Sequence, residues 1–150
     1  MGQEKAHPLK NLLIQKINAG KWWHVIPHDL EAYKKRGKFF ASTYLQAEFY
    51  GLPNDVAEKV TIRNPVFGFS EEEIWKQIIP NYGNNKLMMD ILHDKNDESW
   101  YDRRTEVDSM MCYAAKKLGY DAIVLICKNG HKALLKNRKP KSIELNLLNV

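Results

Sequence analysis

The fold class of this 150-residue chain is decided by residues 107–127, which read VDSMMCYAAKKLGYDAIVLIC. The first half predicts an amphipathic helix that Gly119 ends, since its apolar residues recur at three- and four-residue spacing. These residues are Val107, Met110, Met111, Ala114 and Leu118. The second half is apolar on both faces and rich in β-branched residues, which predicts a buried strand over 121–127. A long helix followed by a buried strand indicates helices packed on a sheet.

The rest of the chain alternates short helices and strands in an irregular order. The patterns predict helices over 9–17, 28–35, 45–50, 70–79 and 84–92, strands over 22–26, 38–41 and 59–63, and a loop over 94–100. Asn129-Gly130 predicts a hairpin turn with a return strand over 133–136, and residues 142–148 predict a last strand. No repeat or linker interrupts the sequence. We therefore expect one α+β domain over residues 1–150, with the N-terminal helix within 1–20 as part of it.

Composition excludes several classes of protein. The chain has 44% hydrophobic and 27% charged residues, which is typical of a folded domain. Its apolar runs, of which residues 122–127 are an example, reach at most six residues, far fewer than the roughly 18 of a membrane span. Two cysteines and five histidines without metal-ligand spacing predict no metal site and no disulfide framework. With no secretory signal at the start, we expect a cytoplasmic protein with no membrane association.

The positive charge of the chain is unevenly distributed. Residues 128–141 contain six Lys or Arg and no acid, whereas residues 90–108 are rich in acids. Such a basic stretch is typical of contact with phosphate, nucleic acid or an acidic partner. It is also typical of a solvated hairpin whose lysines discourage aggregation, and this second interpretation is favoured by the sequence alone.

A few polar side chains stand at positions where chemistry is possible. His24 lies in an aromatic strand, so its ring must either be satisfied within the core or face a cavity. Ser42 and Thr43 follow a strand and precede a helix, so they are either a helix cap or one wall of a pocket for a phosphate or ribose. Glu106 and Asp102 lie near the start of the helix over 107–118, where acids commonly complement the helix dipole.

Several short segments follow one another in a fixed order along the chain: WHVIP (23–27), KFFAST (38–43), AEFYG (47–51), VTIRNP (60–65), AAKKLGYDAI (114–123) and SI (142–143). This succession resembles the ADP-ribosyltransferase-like domains of small phage and bacterial proteins. The resemblance covers roughly residues 21–148 and rests on the order and spacing of the segments. It implies a split core of mixed and antiparallel β-strands with flanking helices.

The resemblance also implies an activity and a set of residues. It implies a transferase of the glycosyltransferase type, a mono-ADP-ribosyltransferase that binds NAD as substrate and modifies an acceptor, a protein in preference to a nucleic acid. His24 matches the histidine that hydrogen-bonds the adenosine-side ribose of NAD. Ser42 and Thr43 match hydroxyls near the nicotinamide ribose, and Tyr50 matches an aromatic wall of the nicotinamide pocket. Such a protein acts in the cytoplasm, the host's if it is a phage or bacterial effector or an anti-defence protein.

One feature departs from the family pattern. The usual catalytic glutamate stands just before the penultimate strand, where this chain has Gly130-His131-Lys132. The reaction passes through an oxocarbenium-like state that a carboxylate stabilises. We therefore expect the acid to come from the preceding helix, with Glu106 preferred over Asp102. The alternative is a catalytically inactive relative that binds a partner through its basic C-terminal hairpin. The active alternative requires a dinucleotide cleft beside His24.

Overall fold

The computed structural model describes residues 8–25, 31–48, 51–53, 56–93 and 100–149 of the chain. Within these residues the helices are α1 (Lys10–Ala19), α2 (Ala32–Arg36), α3 (Tyr44–Glu48), α4 (Glu71–Ile78), α5 (Lys86–His93), α6 (Trp100–Lys117) and α7 (Gly130–Leu135). The strands are β1 (Lys38–Ala41), β2 (Pro65–Gly68), β3 (Ala122–Ile126) and β4 (Ile143–Leu147). The predicted α+β class is confirmed.

The four strands form one mixed sheet in the order β1-β4-β3-β2. β2 and β3 run parallel, and the chain between them passes through α4, α5 and α6. β4 lies between β1 and β3 and is antiparallel to both, with Glu144 opposite Ala41 on one side and Leu125 on the other. The carboxyl ends of β1, β2 and β3 and the amino end of β4 therefore meet at the same edge of the sheet.

Apolar side chains cover both faces of the sheet. One face carries Phe40, Val124 and Leu145 and packs against α1 and α7, and the other carries Val66 and Ile123 and packs against α4, α5 and α6. The alternation follows from the two-residue period of strand side chains. Each core contains one fully buried tryptophan, in addition to its aliphatic residues.

The predicted hairpin after β3 is wrong. Gly130 begins α7 instead of a turn, and residues 133–136 belong to that helix and its C-terminal cap. A helix forms because Leu134 is fully buried in the core and Gly130 packs directly on Ile126. β3 therefore pairs with β4, and the chain between the two strands forms α7. At the end of β3, the Cys127 N–H donates to the Ser142 carbonyl oxygen at 3.1 Å.

The predicted strand over 59–63 is also wrong. The backbone of Ile62 bonds to a side chain, with its N–H donating to Asn18 Oδ1 at 2.8 Å and its carbonyl accepting from Asn18 Nδ2 at 3.1 Å. The amide of Asn18 thus replaces a neighbouring strand. The strand begins after this segment, at Pro65, where the carboxylate of Asp121 accepts from the backbone N–H groups of Arg63 and Asn64.

Several element boundaries differ from the sequence prediction. α6 begins at Trp100, well before Val107, and Ala115 is fully buried whereas Leu118 is 56% exposed. In the predicted strand over 22–26, residues Trp22 and Trp23 form isolated antiparallel bridges to Glu58 and Ala41.

Candidate functional site

A cleft lies at the sheet edge where β2 and β3 end and β4 begins. Its volume is about 380 Å³, within the range of small-molecule sites. Its lining combines three carboxylates, two hydroxyls, one thiol and one ammonium group with three apolar side chains: Phe69, Ser70, Glu71, Glu72, Leu125, Ile126, Cys127, Lys128, Ser142 and Glu144. Parallel strands commonly bind ligands beyond their carboxyl ends. The cleft is the candidate site.

The hydroxyl pair predicted from sequence lies beside this cleft. Ser42 Oγ donates to Gln46 Oε1 at 2.9 Å and accepts from the N–H of Ile143 at 3.2 Å. Gln46 Nε2 in turn donates to Ser142 Oγ. Thr43 caps α3, its Oγ1 accepting from the Gln46 N–H at 3.1 Å. The end of β1 is thereby tied through Gln46 to the wall of the cleft, while Ser42 itself is buried.

Glu144 is the acid that the sheet places in the cleft. Ile143 and Leu145 on either side of it are fully buried in the core of the opposite face. Alternation along the strand therefore turns the Glu144 side chain to the face covered by α4 and α6, and it is exposed. Its position opposite Ala41 puts it next to the strand end that carries Ser42.

An ion-pair cluster supports one side of the cleft. Arg104 on α6 contacts Glu71 at the start of α4, and its Nε and Nη2 donate to Asp108 Oδ1 at 3.1 and 2.9 Å. Burial works to lower the pKa of Arg104, but hydrogen bonds and charge from Glu71 and Asp108 outweigh it and the net shift is upward. The cluster lines a smaller cavity of about 50 Å³, which Glu144 also lines. It holds the first turn of α4 against α6.

His24 lies in different surroundings. Its side chain is 5% exposed, its Nδ1 is 2.5 Å from Glu58 Oε2, and its ring lies 5.1 Å from that of Phe40. Burial, and secondarily the charge of Lys38, lower its pKa, although Glu58 opposes the shift. Phe40 and Glu144 occupy opposite faces of the sheet, so His24 is not beside Glu144. His24 lines neither of the two cavities described above.

The acids predicted from sequence lie away from the cleft. Glu106 and Asp102 are exposed on α6 and line neither cavity. Each is two residues from Arg104, or about 200° around the helix, so they face away from the ion-pair cluster. The remaining predicted site residue, Tyr50, lies outside the described residues.

The structure also bears on metal ions and membranes. Among the described residues, no three His, Cys, Asp or Glu side chains are grouped so that they could hold a metal ion. No helix in this part of the chain has both the length and the apolar character that crossing a bilayer requires.

Comparison with known proteins gives no relative. The chain matches no protein-family model, no curated protein and no solved structure. The function is therefore inferred from the cleft itself.

Sequence reasoning missed two of the polar residues in these surroundings. The sequence pattern places the catalytic acid on the helix before β3, whereas Glu144 lies within β4, the last strand. The signal was a single glutamate among apolar residues in IELNL (Ile143–Leu147). Cys127, at the end of the strand predicted over 121–127, is only partly buried and lines the cleft. Cys112 is buried, and burial raises the pKa of its thiol.

Proposed function

We propose that the chain is a mono-ADP-ribosyltransferase-like enzyme whose reaction takes place in the cleft, with Glu144 as its catalytic carboxylate. The observation that carries the proposal is the convergence of Glu144 with the strand end at Ser42, through the link from Gln46 to Ser142. The hydroxyl-bearing strand end follows the expectation from sequence, whereas the acid differs, because the expectation was Glu106 or Asp102 on α6 and the proposal takes Glu144 on β4. The expectation of a dinucleotide cleft beside His24 is given up, since His24 does not line the candidate cleft, and in this version it has no contact with substrate.

The charges of the cleft suit the two ends of NAD. The nicotinamide ring of NAD is a cation and its diphosphate is an anion. The charged groups that line the cleft are mostly carboxylates, from Glu71, Glu72 and Glu144, and Lys128 supplies the one ammonium group of the lining. We therefore place the nicotinamide ribose beside Glu144 and the diphosphate beside Lys128. Glu144 is preferred among these acids because the register of the sheet sets it opposite Ala41, next to the strand end that carries Ser42.

The chemistry needs few groups from the protein. The bond between ribose C1′ and the nicotinamide nitrogen breaks, and its electron pair leaves with neutral nicotinamide. The ribose becomes oxocarbenium-like, and the Glu144 carboxylate stabilises that positive charge. A nucleophile of the acceptor then bonds to C1′ and releases its proton to the carboxylate or to solvent. The acceptor is a protein in the version we favour.

Turnover of NAD tests the proposal. The purified chain is incubated with NAD labelled in its adenylate and with a cell lysate, and both nicotinamide release and transfer of label are measured. We expect Glu144→Gln to lower both by about 100-fold or more, because it removes the charge that stabilises the transition state. Glu106→Gln and Asp102→Asn are the matched controls, and they retain activity.

Two results would contradict the proposal. If Glu144→Gln keeps full activity and Glu106→Gln loses it, the catalytic carboxylate lies on α6. If the unmodified chain neither releases nicotinamide nor binds NAD, the transferase is excluded. The alternative, an inactive relative that binds a partner through its basic segment, is favoured by the concentration of lysines over residues 128–141.

A further inference from the structure

The net positive charge of the chain comes from one short segment. Residues 128–141 carry six of the 23 Lys and Arg residues and none of the 18 acids. The other 136 residues therefore carry 17 basic and 18 acidic residues, close to neutral. Since the chain as a whole has a formal charge of +5, its attraction for anions is directed to this segment.

The structure arranges these charges on a rigid support. Lys128, Lys132 and Lys136 are all exposed and follow one another at four-residue spacing through the turn before α7, the helix and its C-terminal cap. Lys132 and Lys136 therefore lie on the same side of α7, about 6 Å apart along its axis, and Lys128 precedes the helix in the turn. The opposite side is fixed by Leu134, which is fully buried, and by the close packing of Gly130 on Ile126.

The end of α7 is also fixed. Asn137 adopts a left-handed conformation with φ of 56°, and the N–H of Arg138 donates to the Ala133 carbonyl at 2.8 Å. This pairing closes the helix in the manner of a Schellman motif. Lys139 is directed to other contacts, since its Nζ lies 5.0 Å from the ring of Trp22. We define the basic surface as the remaining five cationic residues: Lys128, Lys132, Lys136, Arg138 and Lys141.

The residue types of the basic surface fit phosphate better than a protein partner. Four of its five members are lysines, which bind phosphate as point charges and are depleted in protein–protein interfaces. Residues 128–141 contain no Phe, Tyr or Trp to serve as the aromatic anchor of a protein interface or as a stacking platform for single-stranded bases. His131 already packs edge-on against Phe69, with ring centroids 5.6 Å apart.

We propose that the basic surface binds the phosphate backbone of a double-stranded nucleic acid without reading its base sequence. Lys132 and Lys136 supply two exposed cations one helical turn apart, and Lys128 supplies a third in the turn before α7. Lys128 belongs to both the basic surface and the cleft, so a bound duplex passes the mouth of the cleft. Because the proposed function assigns the NAD diphosphate to Lys128 as well, duplex binding is measured without NAD, and its outcome does not depend on whether the cleft uses NAD.

The proposal is tested by measuring how tightly the chain binds a labelled 20-base-pair DNA duplex. Binding is monitored by fluorescence anisotropy at KCl concentrations between 50 and 200 mM. If three lysines contact phosphates, log K falls with log salt at a slope of about −2.7, so binding weakens about 40-fold over this range. Lys132→Glu combined with Lys136→Glu should weaken binding by more than about tenfold and reduce the slope to about −1.

The matched control changes net charge equally at a different place. Lys76→Glu combined with Lys86→Glu alters two exposed lysines on α4 and α5 and should leave duplex binding within about threefold of the unmodified chain. Thermal melting of each variant verifies folding. Equal losses in both double variants would overturn the proposal, because total charge alone would then control binding. Tighter binding of poly-glutamate or of single-stranded DNA than of the duplex would also overturn it, in favour of an acidic protein or a single strand.

Discussion

Replacing Gly130 with alanine tests the packing of α7 on the sheet. The added Cβ would lie closer than 3.0 Å to Cγ2 of Ile126, with Cβ of Pro140 at 3.2 Å on the other side. Carbon atoms pack at about 3.5–4.0 Å, so Ile126 must withdraw or α7 must lift from the end of β3. Neither can happen freely, since Ile126 is 1% exposed and Leu134 anchors the helix.

We expect Gly130→Ala to lower the free energy of unfolding by about 2–3 kcal/mol, in the upper part of the range for overpacked cores. With a urea m-value of about 2 kcal/mol per M, the midpoint falls by about 1 M or more. Gly83→Ala is the matched control, because nothing lies within 4 Å of a Cβ at that position. Its effect should stay within about 0.5 kcal/mol.

A double-mutant cycle makes the expectation specific to one contact. Ile126→Ala alone leaves a cavity and should cost about 2–5 kcal/mol. In the double variant, the methyl group that Gly130→Ala adds occupies part of that cavity. The double variant should therefore lose less free energy of unfolding than the sum of the two single losses. Equal stability of Gly130→Ala and Gly83→Ala, or strict additivity in the cycle, would refute the packing of α7 on β3.

Three further substitutions test the supports of the site and the buried histidine. Ser70→Ala should cost about 1 kcal/mol in urea unfolding, because Ser70 Oγ accepts from the Glu73 N–H at 3.2 Å and caps α4. Arg104→Met should cost about 1.5–3 kcal/mol, because it leaves the partly buried Asp108 without its cation. The folded-state pKa of His24 lies below its ordinary value of 6.5, so the unfolded chain binds more protons and stability falls as pH decreases below about 6.5. His24→Gln should flatten this pH dependence, and a fall of equal steepness in the variant would assign it to other groups.

The sequence predicted elements well where a single period dominated. The helix that contains Val107 and the strand β3 were both confirmed, since propensity and burial favour the same structure there. The helix predicted over 70–79 was confirmed as α4, with Ser70 at its N-cap. The edge strand β1 was found because Gly37 and the following aromatic pair mark its start.

The remaining errors come from tertiary contacts that local patterns do not contain. Asn129-Gly130 has the signature of a hairpin turn, but burial of Leu134 makes a helix more favourable. Residues 59–63 alternate like a strand, yet the amide of Asn18 satisfies the backbone of Ile62. Among the site residues, Glu144 depends on which strands flank β4, and that pairing is a long-range property of the sheet.

The most direct measurement of the proposed site is an NMR titration of ¹⁵N-labelled protein with NAD. If NAD occupies the cleft, amide resonances of Cys127, Ser142 and Glu144 should shift in a saturable manner, while those of Glu106 stay in place. Shifts centred on His24 or Glu106 with none at Glu144, or no saturable shift at any concentration, would contradict the assignment of the cleft.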